Sequence, residues 1–354
     1  MTNPNAEQIV ITGAGGWLGT SLLHAVCHGL PDYPGSQAPE GSSVRAFYLD
    51  GETPADMSDS GMAVTAVVGD LRNTADCDAL LAGTDNAVVY HTAGIIHPNK
   101  KVSEFYEINV KAALNMIRAA KEHNARRVVL VSSNSPIGCN PHPEHRFDED
   151  SPYNPYQHYG KSKKIMEESA RKLADELGIE LVIIRPPWFY GPHQPPRQTL
   201  FFTMIKDGGG PLVGNGLNQR SMVYVDNLAH GLLLAGRVPA AAGNTYWIAD
   251  AEPYEMATIL DTIEAVLEND FEFEVKHKRL KLPSIAADVA YYVDAAIQST
   301  GMYHQKIHVL SEMNKNIACS IDKARNELGY EPKVALQEGM KRSIGWCLDQ
   351  GYTI

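Results

Sequence analysis

The sequence predicts an α/β protein with a Rossmann-type, doubly wound parallel sheet and a smaller, interleaved, mainly helical C-terminal domain. Three observations lead to this prediction. A short apolar strand runs directly into a glycine-rich turn and a helix at 8–28, further apolar runs alternate with amphipathic stretches, and small or polar residues follow those runs. Such alternation favours parallel strands with right-handed crossovers, whose ligands bind beyond the carboxyl ends of the strands.

The first predicted strand, 8–12, leads into the turn Gly13–Gly19 and a helix at 18–28. A strand, a glycine turn and a helix in this order are typical of a dinucleotide-binding site. The first glycine can make the tight turn, Gly16 lets the backbone approach a pyrophosphate, and Gly19 allows close packing of helix on strand. A plain turn is the alternative. The candidate cofactor-binding residues here are Gly13, Gly15, Gly16, Trp17, Leu18 and Gly19.

A second strand is predicted at 44–49, after a segment at 31–43 that is rich in Pro, Gly and Ser and that we interpret as a surface loop. Asp50 follows this strand. An acid at that position can accept hydrogen bonds from the adenosine ribose, which favours NAD over NADP. The alternative is a solvated loop aspartate.

Three further strands, at 63–68, 87–91 and 127–131, extend the predicted sheet, and a long amphipathic helix is predicted at 102–123. Small or polar residues predominate directly after the carboxyl ends of these strands, as a cofactor groove requires. They are Asp70, Leu71, Thr92, Ala93, Gly94, Ser132 and Ser133.

Tyr159 and Lys163 stand four residues apart in a predicted helix at 156–177, so they share one face of it. A free tyrosine has a pKa of about 10, and a nearby ammonium group favours the phenolate. Such a pair could carry a proton to or from a carbinol. Without the rest of the chain, a solvated surface pair is the better explanation of the spacing.

Together these motifs resemble the extended short-chain dehydrogenase/reductase superfamily, and within it the NAD-dependent epimerase/dehydratase family. The resemblance covers nearly the whole chain. Its parts are Gly13–Gly19, 69–72, 92–94, 109–110, 132–133, Tyr159–Lys163 and 184–191.

The resemblance implies NAD as the cofactor, Tyr159 as the acid/base, and Lys163 as the residue that holds the nicotinamide ribose and lowers the pKa of Tyr159. It implies that Ser133, five residues before Gly138, orients the substrate oxygen. We expect Ser135 to be a secondary substrate contact and Ser132 to cap the strand end. Further cofactor contacts are implied for Asp70, Leu71, Thr92, Ala93, Gly94, Asn109 and Pro186.

We predict an NAD-binding domain at 1–190, to which 223–250 return, and a substrate-binding domain formed by 191–222 and 251–354. Two substrates remain open. Arg220 lies in a segment that resembles the diphosphate-holding segment of sugar-nucleotide epimerases, and Arg197 is a weaker phosphate candidate; a guanidinium suits phosphate. The stretch 282–293 instead resembles the apolar C-terminal helix of 3β-hydroxysteroid dehydrogenases, which take bulky lipidic alcohols, although an ordinary core helix also fits it.

The sequence argues against a 4,6-dehydratase. Such enzymes use an acidic pair directly after the strand-end hydroxyl, and this chain has Asn134 and Ser135 at those positions. Epimerisation of a nucleotide-diphosphate sugar is the first prediction, and simple dehydrogenation or reduction is the second. A non-catalytic NAD-binding regulator is a remote alternative, since it has no need to keep both Tyr159 and Lys163. No histidine and cysteine spacing indicates a metal site.

The net charge of −11 and the absence of a basic stripe argue against a nucleic-acid partner. The five cysteines share no C-x-x-C spacing, and the N-terminus is polar, so we expect a cytoplasmic protein with reduced thiols. Asp288 and Asp294 interrupt the most apolar segment, 282–301, which predicts a buried or gate-forming helix and no membrane span. A homodimer through the helices at 102–123 and 156–177 is expected from the resemblance.

Overall fold

The computed structural model describes residues 5–354. The strands are β1 (Gln8–Thr12), β2 (Ser43–Tyr48), β3 (Ala63–Val68), β4 (Val88–His91), β5 (Arg127–Val131), β6 (Glu180–Arg185), β7 (Trp188–Tyr190), β8 (Gly210–Val213), β9 (Gln219–Arg220), β10 (Met222–Tyr224), β11 (Thr245–Trp247), β12 (Tyr254–Glu255) and β13 (Arg279–Leu282).

The helices are α1 (Trp17–His28), α2 (Thr74–Leu81), α3 (Ser103–Phe105), α4 (Ala112–Glu122), α5 (Gln157–Leu177), α6 (Pro196–Lys206), α7 (Val225–Arg237), α8 (Met256–Asn269), α9 (Ile285–Ser299), α10 (Gln305–Glu312), α11 (Asp322–Leu328) and α12 (Leu336–Asp349). Short 3₁₀ turns occur at Ser58–Ser60 and Pro239–Ala241. No helix within residues 5–354 is long and apolar enough to cross a bilayer.

Seven parallel strands form the central sheet in the order β11-β6-β5-β4-β1-β2-β3. The chain therefore starts in the middle of the sheet, builds outward to β3, crosses back to β4 and continues to β11. The predicted Rossmann-type sheet is confirmed, and β11 is the late strand that returns to it. The switch between β1 and β4 creates a crevice at the carboxyl ends of the strands, where ligands of this architecture bind.

The predicted helix at 102–123 is not one regular helix. It consists of α3, a π-helical turn at Tyr106–Lys111, and α4. A π turn inserts one extra residue per turn and is often found at functional sites. The hydrophobic spacing of this segment does not reveal it, because the helix continues on both sides.

The segment at 31–43 is not a plain surface loop, contrary to the prediction. Tyr33 is buried, its hydroxyl donates to Asn227 Oδ1 at 2.6 Å, and its ring stacks on His230 with centroids 4.0 Å apart. The composition of the segment predicts its lack of regular structure but not the depth to which one aromatic side chain enters the core.

The C-terminal half has its own hydrophobic core, in which α6, α8 and α12 pack around Tyr190 and Tyr224. By contrast, residues of α11 pack into the core beneath the central sheet, together with β1 and α7. The chain thus passes repeatedly between the two cores. The division into an NAD-binding and a substrate-binding domain stays a prediction.

Helices α9 and α10 form a hairpin whose polarity is the reverse of the usual pattern. The side chains of Asp294, Gln298 and His308 are buried, whereas Ile285 and Tyr292 are exposed. The amphipathic helix predicted at 282–301 is therefore present as α9 but only partly buried, and its buried side carries Asp294 and Gln298. We refer to α9, α10 and the residues between them as the α9–α10 hairpin.

Candidate active site

The glycine turn after β1 forms a close-packed cradle. Gly13 has φ +69°, a conformation that L side chains rarely adopt, and a Cβ there would lie 2.9 Å from the Ala93 backbone. A Cβ on Gly19 would lie only 1.9 Å from the carbonyl oxygen of Gly13. Gly16 precedes α1 and supplies no side chain to cap it. The first amide groups of α1 can therefore receive an anion such as a pyrophosphate.

The side chains of the two residues that open α1 serve the protein rather than a ligand. The Trp17 indole donates to the carbonyl oxygen of Pro192 at 2.6 Å, and Leu18 is buried in the core. Only their backbone amides face the turn. Their predicted contribution to cofactor binding is therefore limited to those amides.

The ends of β1 and β4 are fixed against each other. Thr92 Oγ1 donates to the carbonyl oxygen of Thr12 at 2.6 Å, and the Ala93 amide donates to Thr12 Oγ1 at 3.3 Å. The two predicted cofactor-binding segments thus meet at one edge of the sheet, as the topology requires.

Two acids, Asp50 and Glu52, follow β2 at the predicted ribose end of the groove. Asp50 is exposed, whereas the carboxylate of Glu52 accepts from the Leu49 amide at 2.8 Å and lies 2.5 Å from the position of a Cβ on Gly15. Glu52 therefore reaches the glycine cradle more closely. Sequence reasoning missed it, although a second acid two residues beyond Asp50 was a usable signal.

Asp70 and Leu71 lie beyond β3, at the predicted adenine end of the groove. The hydrogen bond from Arg72 lowers the pKa of Asp70 below its ordinary value, so this carboxylate is ionised and held in a fixed position. The side chain of Leu71 is buried, and its carbonyl oxygen accepts from Asn115 Nδ2 at 3.0 Å.

Tyr159 and Ser133 come together in a buried position at the carboxyl end of β5. The Ser133 hydroxyl lies near the phenol of Tyr159, and the Ser135 amide donates to Ser133 Oγ at 3.3 Å. Burial raises the pKa of Tyr159 to about 12, against the opposing effect of the nearby Ser133 hydroxyl. The expectation that Lys163 lowers the pKa of Tyr159 is therefore not met by the groups of this chain.

Lys163 is buried one turn further along α5. Its Nζ donates to the carbonyl oxygen of Val131 at 3.1 Å and would lie 3.4 Å from a Cβ on Gly94. Burial lowers its pKa to about 8, so it is still mainly charged at neutral pH. The ammonium group therefore faces the groove between β4 and β5, which suits a ribose hydroxyl.

Asn109 lies in the π-helical turn and connects the cofactor groove to α5. Its amide group donates to the Ile95 carbonyl at 3.1 Å and to Ser162 Oγ at 3.2 Å, while its Oδ1 accepts from the Ile95 amide at 2.9 Å. These bonds fix the loop after Gly94. Asn109 can therefore contribute to cofactor binding by holding that loop in place. The carbonyl oxygen of Pro186, another predicted cofactor contact, accepts a hydrogen bond from the Asn134 amide at 3.2 Å.

Ser132 turns away from the site, as the strand-capping interpretation predicts. Its hydroxyl donates to Glu167 Oε1 at 2.5 Å, and the same fully buried carboxylate binds Tyr153, Arg171 and Arg185. This buried cluster fixes α5 on the sheet. It thereby sets the position of the catalytic candidates one and two turns earlier on α5.

The α9–α10 hairpin closes the far side of the site through Tyr303. Its ring packs edge-on against Phe105, at 5.6 Å between centroids, and Phe105 in turn packs against Tyr159 at 5.7 Å. The Tyr303 hydroxyl and His97 Nδ1 are 2.6 Å apart. The sequence analysis did not identify Tyr303. This residue lies between two helices, and the segments that form the groove precede it by nearly 150 residues, so no local pattern relates the two.

Of the two predicted substrate arginines, Arg197 lies nearer to Tyr303. Its charge is felt by both His97 and Tyr303, and burial together with Arg197 lowers the pKa of His97 to about 4. Arg220 instead donates to the Glu312 carbonyl at 3.4 Å. The carboxylate of Glu312 is close enough to Tyr159 to oppose its ionisation.

A cavity of about 370 Å³ lies between α9 and the segment before α5. Tyr156, Tyr291 and Lys315 line it, and Arg220 lies near enough to act on Cys139 in the same wall. Asp288 also lines the cavity and is ion-paired with Lys315 at 2.7 Å. Among residues 5–354, no group of three or more His, Cys, Asp and Glu side chains could hold a metal.

The sheet order, the glycine cradle and the buried Tyr159 and Lys163 define a dinucleotide-binding oxidoreductase class of site. The family model described as NAD dependent epimerase/dehydratase family matches residues 9–249. The chain belongs to this family, and it is accordingly an NAD-dependent enzyme of the extended short-chain dehydrogenase/reductase type.

Three similarities illustrate the breadth of this family. An uncharacterized protein, y4nL, of Sinorhizobium fredii is 49% identical over 348 residues, which cover 98% of this chain and 97% of that protein. A 3-beta-hydroxysteroid dehydrogenase of Mycolicibacterium neoaurum is 27% identical and covers 97% of this chain and 92% of its own. The UDP-glucuronic acid 4-epimerase of Bacillus cereus, solved with UDP-glucuronic acid and NAD, has TM-score 0.73 at 22% identity over 98% of this chain and 100% of its own, and shows the same fold.

Proposed function

We propose that the protein moves hydride between a substrate carbinol or ketone and NAD, with Tyr159 as the acid/base. The observation that carries this proposal is the burial of Tyr159 and Lys163 one turn apart on α5, with the buried Ser133 hydroxyl close to the Tyr159 phenol. A phenol and a second hydroxyl close together can hold one substrate oxygen between them. A buried cation beside the groove has no other partner than the Val131 carbonyl and Met166 sulfur among the described residues.

The roles of the individual residues follow from their chemistry. NAD, when bound, supplies the hydride acceptor and a positively charged ring that favours a phenolate nearby. Tyr159 then takes the hydroxyl proton of the substrate, Ser133 orients the substrate oxygen, and Lys163 binds the nicotinamide ribose. A base within hydrogen-bond reach is required, because proton and hydride transfer are coupled.

The substrate that we propose first is a nucleotide-diphosphate sugar, in a reaction of the 4-epimerase type. Arg220 lies near the cavity beside α9, and a guanidinium suits a diphosphate. Lys315 lines the cavity too, paired with Asp288. The likeness in fold to a UDP-sugar 4-epimerase is consistent with this. Elimination of water is not proposed, since Asn134 and Ser135 supply no acid and base after Ser133.

The second candidate is oxidation or reduction of a bulky lipidic alcohol. A specific observation favours it: Tyr291 and Tyr292 line the same cavity, and α9 exposes apolar side chains beside it. The relative from Mycolicibacterium neoaurum, a 3-beta-hydroxysteroid dehydrogenase, agrees with this second candidate. The predicted homodimer and cytoplasmic location accompany either substrate.

Turnover of Tyr159→Phe is the experiment that tests the proposed chemistry. We expect a loss of about 10²–10⁴-fold in turnover, because the proton carrier is removed, while NAD affinity is kept. Tyr352→Phe, in the C-terminal core, is the matched control and should keep full activity. Unchanged turnover of Tyr159→Phe would remove Tyr159 from the mechanism.

The cofactor content of the freshly purified protein separates the two substrates. An epimerase regenerates its cofactor in every turnover, so near-stoichiometric NAD released by denaturation would favour the sugar nucleotide. A protein that takes up NAD only from solution would favour the lipidic alcohol. Assays with UDP-hexoses and with a sterol alcohol then identify the class directly.

A further inference from the structure

The outer side of the α9–α10 hairpin is the most apolar exposed surface of the protein. Among the described residues, seven of the fourteen large hydrophobic side chains that are exposed fall within 280–309. We call this set the apolar face. Its members are Leu280, Ile285, Val289, Tyr292, Val293, Met302 and Val309.

The apolar face follows one stripe of α9 and is not a scatter of single residues. Ile285, Val289 and Tyr292 are spaced by four and three positions, which places them on one side of a helix. Tyr292 is 73% exposed and Ile285 is 65% exposed, while Asp294 on the opposite side is fully buried. Contiguous exposed apolar surface of this kind marks an interaction site.

The length of α9 excludes a membrane-spanning role for it. Its 15 residues extend over roughly 22 Å, and the hydrocarbon core of a bilayer is roughly 30 Å thick. A short helix with one apolar side instead suits the plane of a membrane interface.

Basic groups border the apolar face, although the chain carries a net charge of −11. Lys281 lies in β13, four residues before α9, and Lys306 lies in the first turn of α10. Lys100 and Lys101 flank the turn between the helices, because the Tyr303 amide donates to the Lys100 carbonyl at 2.9 Å and Lys101 pairs with Met302. These four lysines are exposed.

Acidic groups are neutralised or withdrawn on the same surface. Asp288 of α9 is ion-paired with Lys315 at 2.7 Å, and Asp294 is buried against His308. Within residues 5–354, α9 therefore presents no unpaired acid on its apolar stripe. The charge pattern complements an anionic surface, whereas a symmetric pairing of this face with the same face of a second copy would bring lysines against lysines.

We propose that the apolar face docks the protein on an anionic lipid membrane, with α9 in the plane of the interface and the bordering lysines at the headgroups. This goes beyond the proposed function and does not depend on it. Docking would bring the cavity lined by Tyr291 and Tyr292 next to the lipid surface, so a substrate could enter from the bilayer.

Co-sedimentation with lipid vesicles tests the proposal on the intact protein. We expect the protein to pellet with phosphatidylcholine vesicles that contain phosphatidylglycerol, and far less with phosphatidylcholine alone. Added salt should weaken the binding, because it screens the lysines from the headgroups.

Two sets of variants separate the apolar from the electrostatic contribution. Val289→Asp with Tyr292→Asp should lower binding at least tenfold, because two exposed apolar anchors become charged. Lys281→Glu with Lys101→Glu should lower it by about fivefold or more per lysine, and only for the anionic vesicles. Val68→Asp, an equally exposed apolar position at the far edge of the sheet, is the matched control and should bind like the parent.

Two outcomes would overturn the proposal. One is equal binding of the parent and the Val289→Asp, Tyr292→Asp variant to anionic vesicles, with both proteins folded by circular dichroism. The other is a parent that does not bind vesicles but is a dimer in light scattering and becomes monomeric in that variant, which would assign the apolar face to a second copy of the chain.

Discussion

Two fully buried carboxylates, one in each half of the molecule, have very different surroundings. Glu167 of α5 receives hydrogen bonds on both oxygens, from Ser132 and Tyr153 and from the guanidinium groups of two arginines. Asp294 of α9 receives two bonds on Oδ2, from His308 and Gln298, and its buried Oδ1 has no partner among the described residues.

The two carboxylates differ in whether the positive group that compensates their charge can itself become neutral. An arginine keeps its charge at every accessible pH, so the Glu167 cluster is fixed and holds α5 rigidly beside the cofactor groove. A histidine loses its charge near neutral pH, so the compensation at Asp294 can be withdrawn. The cofactor half is thus held permanently, whereas the hairpin that closes the site is held conditionally.

The largest effect is expected for Glu167→Gln. It leaves Arg185 buried without its counter-charge, so the free energy of unfolding should fall by about 3–5 kcal/mol. Urea unfolding measures this. Glu168→Gln is the matched control, because its pair with Lys164 is on the surface and the change should stay within about 0.5 kcal/mol. A similar small change for both would mean that the cluster does not set the rigidity of this half.

Gly19→Ala tests the same rigidity at the glycine cradle. The new Cβ would meet the Gly13 carbonyl oxygen at 1.9 Å, so we expect a loss of about 1–3 kcal/mol in stability and weakened NAD binding. In the C-terminal half, a Cβ on Gly209 would make only an ordinary contact at 3.5 Å. Urea unfolding and NAD titration of Gly19→Ala and Gly209→Ala should therefore diverge, and equal behaviour would argue against a tight cradle.

Glu52→Gln distinguishes the two acids at the ribose end. A hydrogen bond to a charged acceptor is worth about 1.5–3 kcal/mol, so removal of this charge should weaken NAD at least tenfold. Asp50→Asn should have the smaller effect, since Asp50 is exposed and further from the cradle. Calorimetric titration with NAD and NADP measures both. The opposite ranking would return the ribose contact to Asp50.

The smallest effect is the pH response of the hairpin. Burial opposes the charge of His308, but its bond to Asp294 and the nearby Glu312 outweigh this, so its pKa is raised above the ordinary value. The stabilisation is therefore fully present below about pH 6.5 and is lost as pH rises through the folded-state pKa.

Hydrogen–deuterium exchange of α9 and α10 at pH values on either side of neutrality checks this prediction, with α5 as the internal reference. Exchange in the hairpin should accelerate at the higher pH after correction for intrinsic rates, and exchange in α5 should not. Asp294→Asn should abolish the difference. Tyr156 and Tyr303 also pack on His308, but burial raises the pKa of both well above this range.

The comparison of the two halves also explains what the sequence could predict. The strands Gln8–Thr12, Ala63–Val68 and Arg127–Val131 have their predicted bounds, and the predicted sheet and family are confirmed. These features depend on local patterns, namely short apolar runs and glycines at a turn. The assignments of Ser133, Tyr159 and Lys163 remain predictions, although the structure brings the three residues to one edge of the sheet.

The features that were missed depend on contacts between distant segments. The orientation of α9 is set by the pairing of Asp294 with His308, and Tyr303 reaches the site only because the hairpin folds back onto Phe105. Glu52 approaches the cradle through the bend after β2. Neither hydrophobic spacing nor local propensity carries this information, because the same apolar residues can face a core or a partner surface.

The buried tyrosine of the segment at 31–43 has a consequence for how the protein is made. Tyr33 accepts a hydrogen bond from the Lys333 amide, and the neighbouring Asp32 is ion-paired with Arg342 of α12. During synthesis the ribosome releases these partners some 300 residues after the segment itself. The opening βαβ unit therefore keeps this segment only partly packed until the last helices emerge, and this interval is when a chaperone has the most to bind.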